Sequence, residues 1–281
     1  MPAPASPRSR SAPGPRTRLA AAFASGVLFA ASCQREPERE HVDVLFSLDA
    51  RATAQTVHPE LQPLGARLFE RAGCAKCHPR DTLGADGAVH ERATPQLVDV
   101  ARQVLLGWDG ERIDLEAFVR RELTQRAGLV DDAAVRALDD EAISLDVAVQ
   151  AITAELATWR SRGRWDRYVE GDDAALTAEE RDGLAAFVES GCATCHAGRN
   201  LGGRSTHLLG LAEPIPGHVR RLYRAPMLRH AARTAPYLHD HSIAGLDEAV
   251  RQMARHELGR TLADADVRAI VTFLHATTQT D

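Results

Sequence analysis

The chain has no long apolar run. Its most hydrophobic stretch, Leu19 to Ser32, is short for the ~20 residues a membrane-spanning helix needs, so a permanent span is not expected. No basic cluster remains beyond the first residues, which argues against nucleic acid as a partner. No segment sustains the alternation of a strand, and the connecting stretches are rich in Gly, Pro and Asp, so extended sheet is not expected either. Methionine is scarce as well: apart from Met1 there are only Met227 and Met253. With 44% hydrophobic and 26% charged residues in 281, the chain can still bury the core of one or two ordinary soluble domains.

What is present begins with a leader. Arg8, Arg10, Arg16 and Arg18 precede the apolar stretch, and no acidic residue occurs before Cys33. This is the pattern of a cleaved export signal over residues 1–33. Ala30-Ala31-Ser32-Cys33 resembles a bacterial lipoprotein box, which would make Cys33 a lipid anchor; the alternative is an ordinary signal with an incidental cysteine. Removing the four arginines takes the formal net charge from −5 to −9, an acidic surface that suits a basic donor protein. Residues 34–56 read as a polar linker.

A pattern then recurs 118 residues apart. Gly65-x-x-x-Phe69-x-x-x-Gly73-Cys74-x-x-Cys77-His78 is matched by Gly183-x-x-x-Phe187-x-x-x-Gly191-Cys192-x-x-Cys195-His196. In each copy Gly and Phe share one helical face and the second Gly can stop the helix. Thr177 and Glu180 form a capping box for the second of these helices. Each copy closes with an amphipathic helix, one carrying Leu145, Val149, Ile152 and Leu156, the other Val267, Ile270, Val271 and Leu274.

Cys-x-x-Cys-His is the attachment motif of c-type haem, because two thiols can add to the vinyl groups while the adjacent imidazole reaches the iron. A single copy would also fit a redox dithiol or half a zinc site; two copies after matching helices point to two covalent haems, on Cys74/Cys77/His78 and Cys192/Cys195/His196. The expected fold is all-α, with two tandem cytochrome-c-like domains over 57–163 and 164–281, each wrapped around one haem. The sixth ligand decides what each iron does. A Met ligand is available only to the second haem, and His90 is the nearest histidine following the first motif.

Several segments resemble the bacterial dihaem cytochrome c peroxidase family: Arg92-Ala-Thr-Pro95, Gly107-Trp-Asp-Gly110, the stretch from Trp165 to Thr177, Arg224-Ala-Pro-Met-Leu-Arg229, Thr234-Ala-Pro-Tyr-Leu-His-Asp240 and the run from Leu246 to Met253. The resemblance implies a periplasmic enzyme that reduces hydrogen peroxide at the N-terminal haem. Electrons would come from a small cytochrome c or cupredoxin through the C-terminal haem. By motif position it implies Met253 as axial ligand of the second iron, with His78 and His196 on the proximal sides. His90 matches the displaceable distal ligand of the first iron, and Trp108 the relay between the haems; Met227 is left as core packing. Family members are often homodimers.

The departures from the family pattern are specific. Ala93 stands where the family has the asparagine that ligates an interdomain calcium, although Thr234 and Pro236 keep the matching backbone positions. The pocket glutamate has no clear equal: ungapped alignment places Gly128 there, with Glu122 nearby. The loop from His78 to Pro95 is shorter than usual, and part of the segment between Leu129 and Leu145 is missing. These losses favour a second reading, a dihaem electron carrier without catalysis. A third, the type of enzyme that matures methylamine dehydrogenase by long-range oxidation, has Tyr at the position of Met253.

Overall fold

The computed structural model describes residues 39–46, 58–80, 92–111, 114–138 and 143–278. Helix α2 (Gln62–Arg71) opens with Pro63, whose fixed φ suits the first turn and whose missing N–H would have no partner there. Its buried stripe is Leu64, Gly65, Leu68 and Phe69. After the helix, Gly73 takes φ 81°, a left-handed conformation that needs glycine. Helix α7 (Ala178–Glu189) repeats this plan. The Thr177 hydroxyl accepts from the Glu180 N–H and the Glu180 carboxylate accepts from the Thr177 N–H at 2.8 Å, closing the expected capping box. Gly191 ends it at φ 93°.

Each of these helices crosses a long partner, α2 on α5 (Leu145–Ala157) and α7 on α9 (Asp264–Ala276). The crossings are close because glycine sits at each. A Cβ on Gly65 would lie 1.9 Å from the Ala151 carbonyl oxygen, and one on Gly183 would lie 2.1 Å from that of Ala269. Two hydrophobic cores form around these pairs, within one compact unit over Gln34–Asp281. The first gathers Leu68, Phe69, Ile152 and Trp159 with Leu115, Val119 and Leu123 of α3 (Leu115–Gln125) and Val135 of α4 (Asp132–Leu138). The second surrounds Trp165 of α6 (Arg164–Val169), whose ring meets Phe273 edge-on at 5.4 Å, and takes in Leu246 and Val250 of α8 (Leu246–Leu258). No helix among the described residues is long and apolar enough to cross a membrane.

The cores differ at one repeat position. Phe273, packed under Gly183, corresponds to Glu155 under Gly65. Glu155 is 2% exposed, yet its carboxylate accepts from Arg80 Nη1 at 2.7 Å, from Trp159 Nε1 at 2.8 Å and from Gln62. A buried carboxylate is tolerable only with such partners.

Two expectations need correction. Part of the supposed polar linker is helix α1 (Arg39–Phe46): Val42 and Phe46, one turn apart, are fully buried, and Phe46 meets Trp165 edge-on at 5.3 Å. Arg39 ties this helix to the C-terminal carbonyls of α6, donating to Tyr168 and Val169 at 2.7 and 3.0 Å. Between them Val44 is exposed and Leu45 only partly buried, so the apolar residues of this stretch do not fall at a clean helical spacing. The fold is helix-rich but not purely helical: β1 (Thr206–Leu208) pairs antiparallel with β2 (Leu222–Arg224), with His207 opposite Tyr223. Three-residue strands are too short for alternation to register in a sequence.

Gly183→Ala forces apart two backbones that already touch. It should lower unfolding free energy by about 1–3 kcal/mol, measured by urea denaturation; an unchanged midpoint would mean that this crossing is loose.

Candidate functional site

Both Cys-x-x-Cys-His segments take one local conformation. Cys74–Lys76 and Cys192–Thr194 each form one turn of 3-10 helix after the left-handed glycine. The histidine N–H then folds back on the first cysteine: His78 donates to the Cys74 carbonyl at 2.9 Å, and His196 to that of Cys192 at 3.0 Å. This folds the backbone of each histidine onto the turn that carries its two thiols. None of the four cysteines is in a disulfide. Burial pushes the thiols of Cys74 and Cys192 up to about 11.

The His196 ring fits the role of an iron ligand. Its Nδ1 lies 3.2 Å from the Leu201 carbonyl and 3.1 Å from that of Pro226. Carbonyls only accept, so Nδ1 carries the hydrogen and Nε2 keeps a free lone pair, as a metal-binding imidazole requires. Burial also holds the ring neutral, its pKa lowered to about 4. Spacing and donor set in both turns therefore suit haem c.

Helix α8 lies against the second turn. Leu258 is 3.9 Å from where a Gly191 Cβ would stand, and the Glu257 charge adds to burial in raising the Cys195 thiol. Leu246 and Val250 face the same core, so Met253, half-buried and one turn before Glu257, falls on the inward face. Met227 is 6% exposed, and its sulfur accepts from Gln103 Nε2 at 3.5 Å.

Near the first turn, the Glu122 carboxylate of α3 is close enough to Cys74 to add to the rise that burial causes in its thiol. It is held by Arg121 at 2.9 Å and by Arg126 at 2.8 Å. Gly128 closes α3 at φ 70°, with Leu129 N–H donating to the Leu123 carbonyl at 3.0 Å, so that position serves the helix end. His90 and Cys33 lie outside the described residues.

Trp108 sits in a tight turn closed by the Leu106–Glu111 bridge, where Gly107 and Gly110 take φ 64° and 71°. Its Nε1 donates to the Ala93 carbonyl at 2.8 Å, and its own carbonyl accepts from Arg224 N–H at 2.8 Å. Trp108 is thus tied by its indole to a segment following the first motif and by its backbone to one following the second. Its ring meets His239 edge-on at 6.2 Å, and His239 packs on Tyr223 at 4.3 Å.

Sequence reasoning missed the charged groups that bind these segments together. Arg229, 1% exposed, donates both Nη groups to the Asp166 carboxylate, one of them at 2.8 Å. Its Nε lies 3.5 Å from Asp99. The Ser161 hydroxyl lies within bonding reach of both the Asp99 carboxylate and, at 2.8 Å, His230 Nε2. Arg229 and Asp166 fall inside segments that carried the family resemblance; no spacing revealed that they would pair.

No family model matches the chain. Among curated proteins it is similar to the cytochrome c551 peroxidase of Pseudomonas aeruginosa, 30% identical over 277 residues, covering 79% of this chain and 80% of that one. It also resembles the methylamine utilization protein MauG of Methylorubrum extorquens, 27% identical over 241 residues, 69% of this chain and 68% of that one. A solved MauG-like protein associated with microbial copper homeostasis shares the fold, with a TM-score of 0.63 at 22% identity over 79% of this chain and 90% of that one. The fold is that of the dihaem peroxidase and MauG-like proteins. The chain belongs to the bacterial dihaem cytochrome c peroxidase family and is an oxidoreductase of that type.

Burial alone would push the Asp166 carboxyl up, but the Arg229 guanidinium hydrogen-bonded to it holds it below the ordinary 3.8. This pair therefore contributes stability that is fully present above about pH 4 and is lost as pH falls through the lower folded-state value. Arg229→Met leaves a buried carboxylate without its partner. It should cost about 3–5 kcal/mol at neutral pH and move the acid-unfolding midpoint upward, followed by circular dichroism.

Proposed function

We propose that this chain is a periplasmic dihaem peroxidase that reduces hydrogen peroxide to two molecules of water, using two electrons from a small cytochrome c or cupredoxin and two protons. The observation that carries this reading is the pair of equivalent Cys-x-x-Cys-His turns in two unlike cores, with Trp108 hydrogen-bonded to a segment following each. Haem c, attached through Cys74 and Cys77 with His78 and through Cys192 and Cys195 with His196, supplies the redox-active iron. Residues 57–163 form the domain where peroxide is reduced, and residues 164–281 the domain that receives electrons. Cys33 anchors the mature protein to a membrane as a lipoprotein.

The residues divide the work by their surroundings. His196, fixed by the Leu201 and Pro226 carbonyls, would hold the second iron through Nε2, and Met253 on the inward face of α8 would supply the thioether of a His/Met pair, which raises the potential. His90 would be the displaceable ligand of the first iron, which His78 would also hold. Trp108, held at Nε1, keeps its ring in one orientation between the domains and serves as the relay. Moving a proton between the two peroxide oxygens needs an acid or base within reach. Glu122, near Cys74 and positioned by Arg121 and Arg126, takes the role for which Gly128 has no side chain.

The carrier reading retains one favourable observation, the side-chain-free Gly128 at the end of α3. Steady-state oxidation of a reduced small cytochrome by hydrogen peroxide decides between them. Wild type should turn over, Glu122→Gln should lose about 10²-fold in kcat with haem content unchanged, and Trp108→Leu should slow donor oxidation. Wild type that binds two haems and never consumes peroxide would establish the carrier; full kcat in Glu122→Gln would remove that residue from the mechanism.

A further inference from the structure

Between the segment from Ala93 to Trp108 and the segment from Arg224 to His241 lies a cavity of about 110 Å³. Its one charged lining group is Arg224, 5% exposed. Nε of that guanidinium donates to the Gly107 carbonyl at 2.7 Å and Nη1 to the Gln103 side-chain oxygen. Nη2 has no hydrogen bond among the described residues, and no carboxylate lines the cavity. Burial without such a partner lowers its pKa to about 10. Two polar atoms of the lining, Gln96 Oε1 and His241 Nδ1, are buried with no partner; the amide oxygen can only accept, whereas the ring nitrogen can donate as an N–H. Orphaned groups of this kind mark a missing occupant.

The chemistry of that occupant follows from the lining. Calcium takes six to eight oxygens, several of them usually carboxylate. Here Thr234 and Pro236 keep their backbone positions, but Ala93 offers no side-chain oxygen, its carbonyl is already used by Trp108 Nε1, no carboxylate is present and a guanidinium lines the space. No group of three or more Asp, Glu, His or Cys suited to a metal occurs among the described residues. The calcium implied by the family pattern does not fit this cavity.

We infer that the cavity is a carboxylate site, in which Arg224 Nη2 and His241 Nδ1–H donate to the anion while a water donates to both the carboxylate and the Gln96 amide oxygen, and that the protein needs no calcium there. An arginine fork is the usual complement of a carboxylate in a buried setting. The carboxylate can belong to a haem propionate or to a small free acid, and neither source depends on peroxide turnover.

The test uses full-length, haem-loaded protein, with thermal unfolding followed during titration with sodium formate, with calcium chloride, and with sodium chloride as the ionic control. If the site takes a free acid, formate raises Tm to saturation in wild type and in Arg224→Lys, but not in Arg224→Gln. If a propionate fills it, formate has no effect and Arg224→Gln lowers the midpoint potential of one haem, because a positive charge beside it is gone; Arg224→Lys restores most of the shift. Either result supports the carboxylate site and identifies its source. A saturable rise of Tm with calcium, or its fall on chelation, in wild type would overturn the inference even if the Gln variant does not fold. So would the absence of both the formate response and the potential shift.

Discussion

The placement of both thiol-and-histidine turns depends on how closely two pairs of helices can cross. With a Cβ at Gly65 or Gly183, α2 could not lie on the Ala151 carbonyl, nor α7 on that of Ala269. The turn that follows each helix would then lift away from its core. The left-handed glycines Gly73 and Gly191 complete the constraint, because they start each Cys-x-x-Cys-His turn in a conformation that a side chain would strain. Covalent attachment of a large planar group requires such a fixed presentation of two sulfurs and one nitrogen.

On this repeated frame the two halves have become chemically different. The second keeps Phe273 under its glycine and an apolar ring around Trp165. In the first, Glu155 replaces the phenylalanine and draws in Arg80, Gln62 and Trp159. The buried Glu155 carboxylate fixes the Trp159 indole in the core and draws the guanidinium of the exposed Arg80 down to its edge. The joint between the halves follows the same principle: Arg229 spans Asp166 and Asp99, and the Trp108 turn is hydrogen-bonded on both sides. A relay between two redox centres needs such a joint, since electron transfer falls off steeply with distance.

Much of this was legible from spacing. The Gly–Phe–Gly–Cys repeat located α2, α7 and both turns, the capping box fixed the start of α7, and the apolar positions located α5 and α9. The rest depended on long-range pairing. Val42 and Phe46 sit in a short stretch with exposed Val44 and become a buried helix face because the core around Trp165 receives them. Asp166 and Arg229 are 63 residues apart. Arg224 reads as a surface arginine until the Trp108 turn and Gln103 close over it.

The central claim is that one iron reacts with peroxide while the other stores and delivers an electron. Rapid mixing of the one-electron-reduced protein with hydrogen peroxide, followed by absorbance, tests it most directly. The account predicts loss of one equivalent of peroxide per chain together with reoxidation of the reduced haem and a separate change in the bands of the other. Unchanged spectra for both haems, with the peroxide recovered intact, would contradict it.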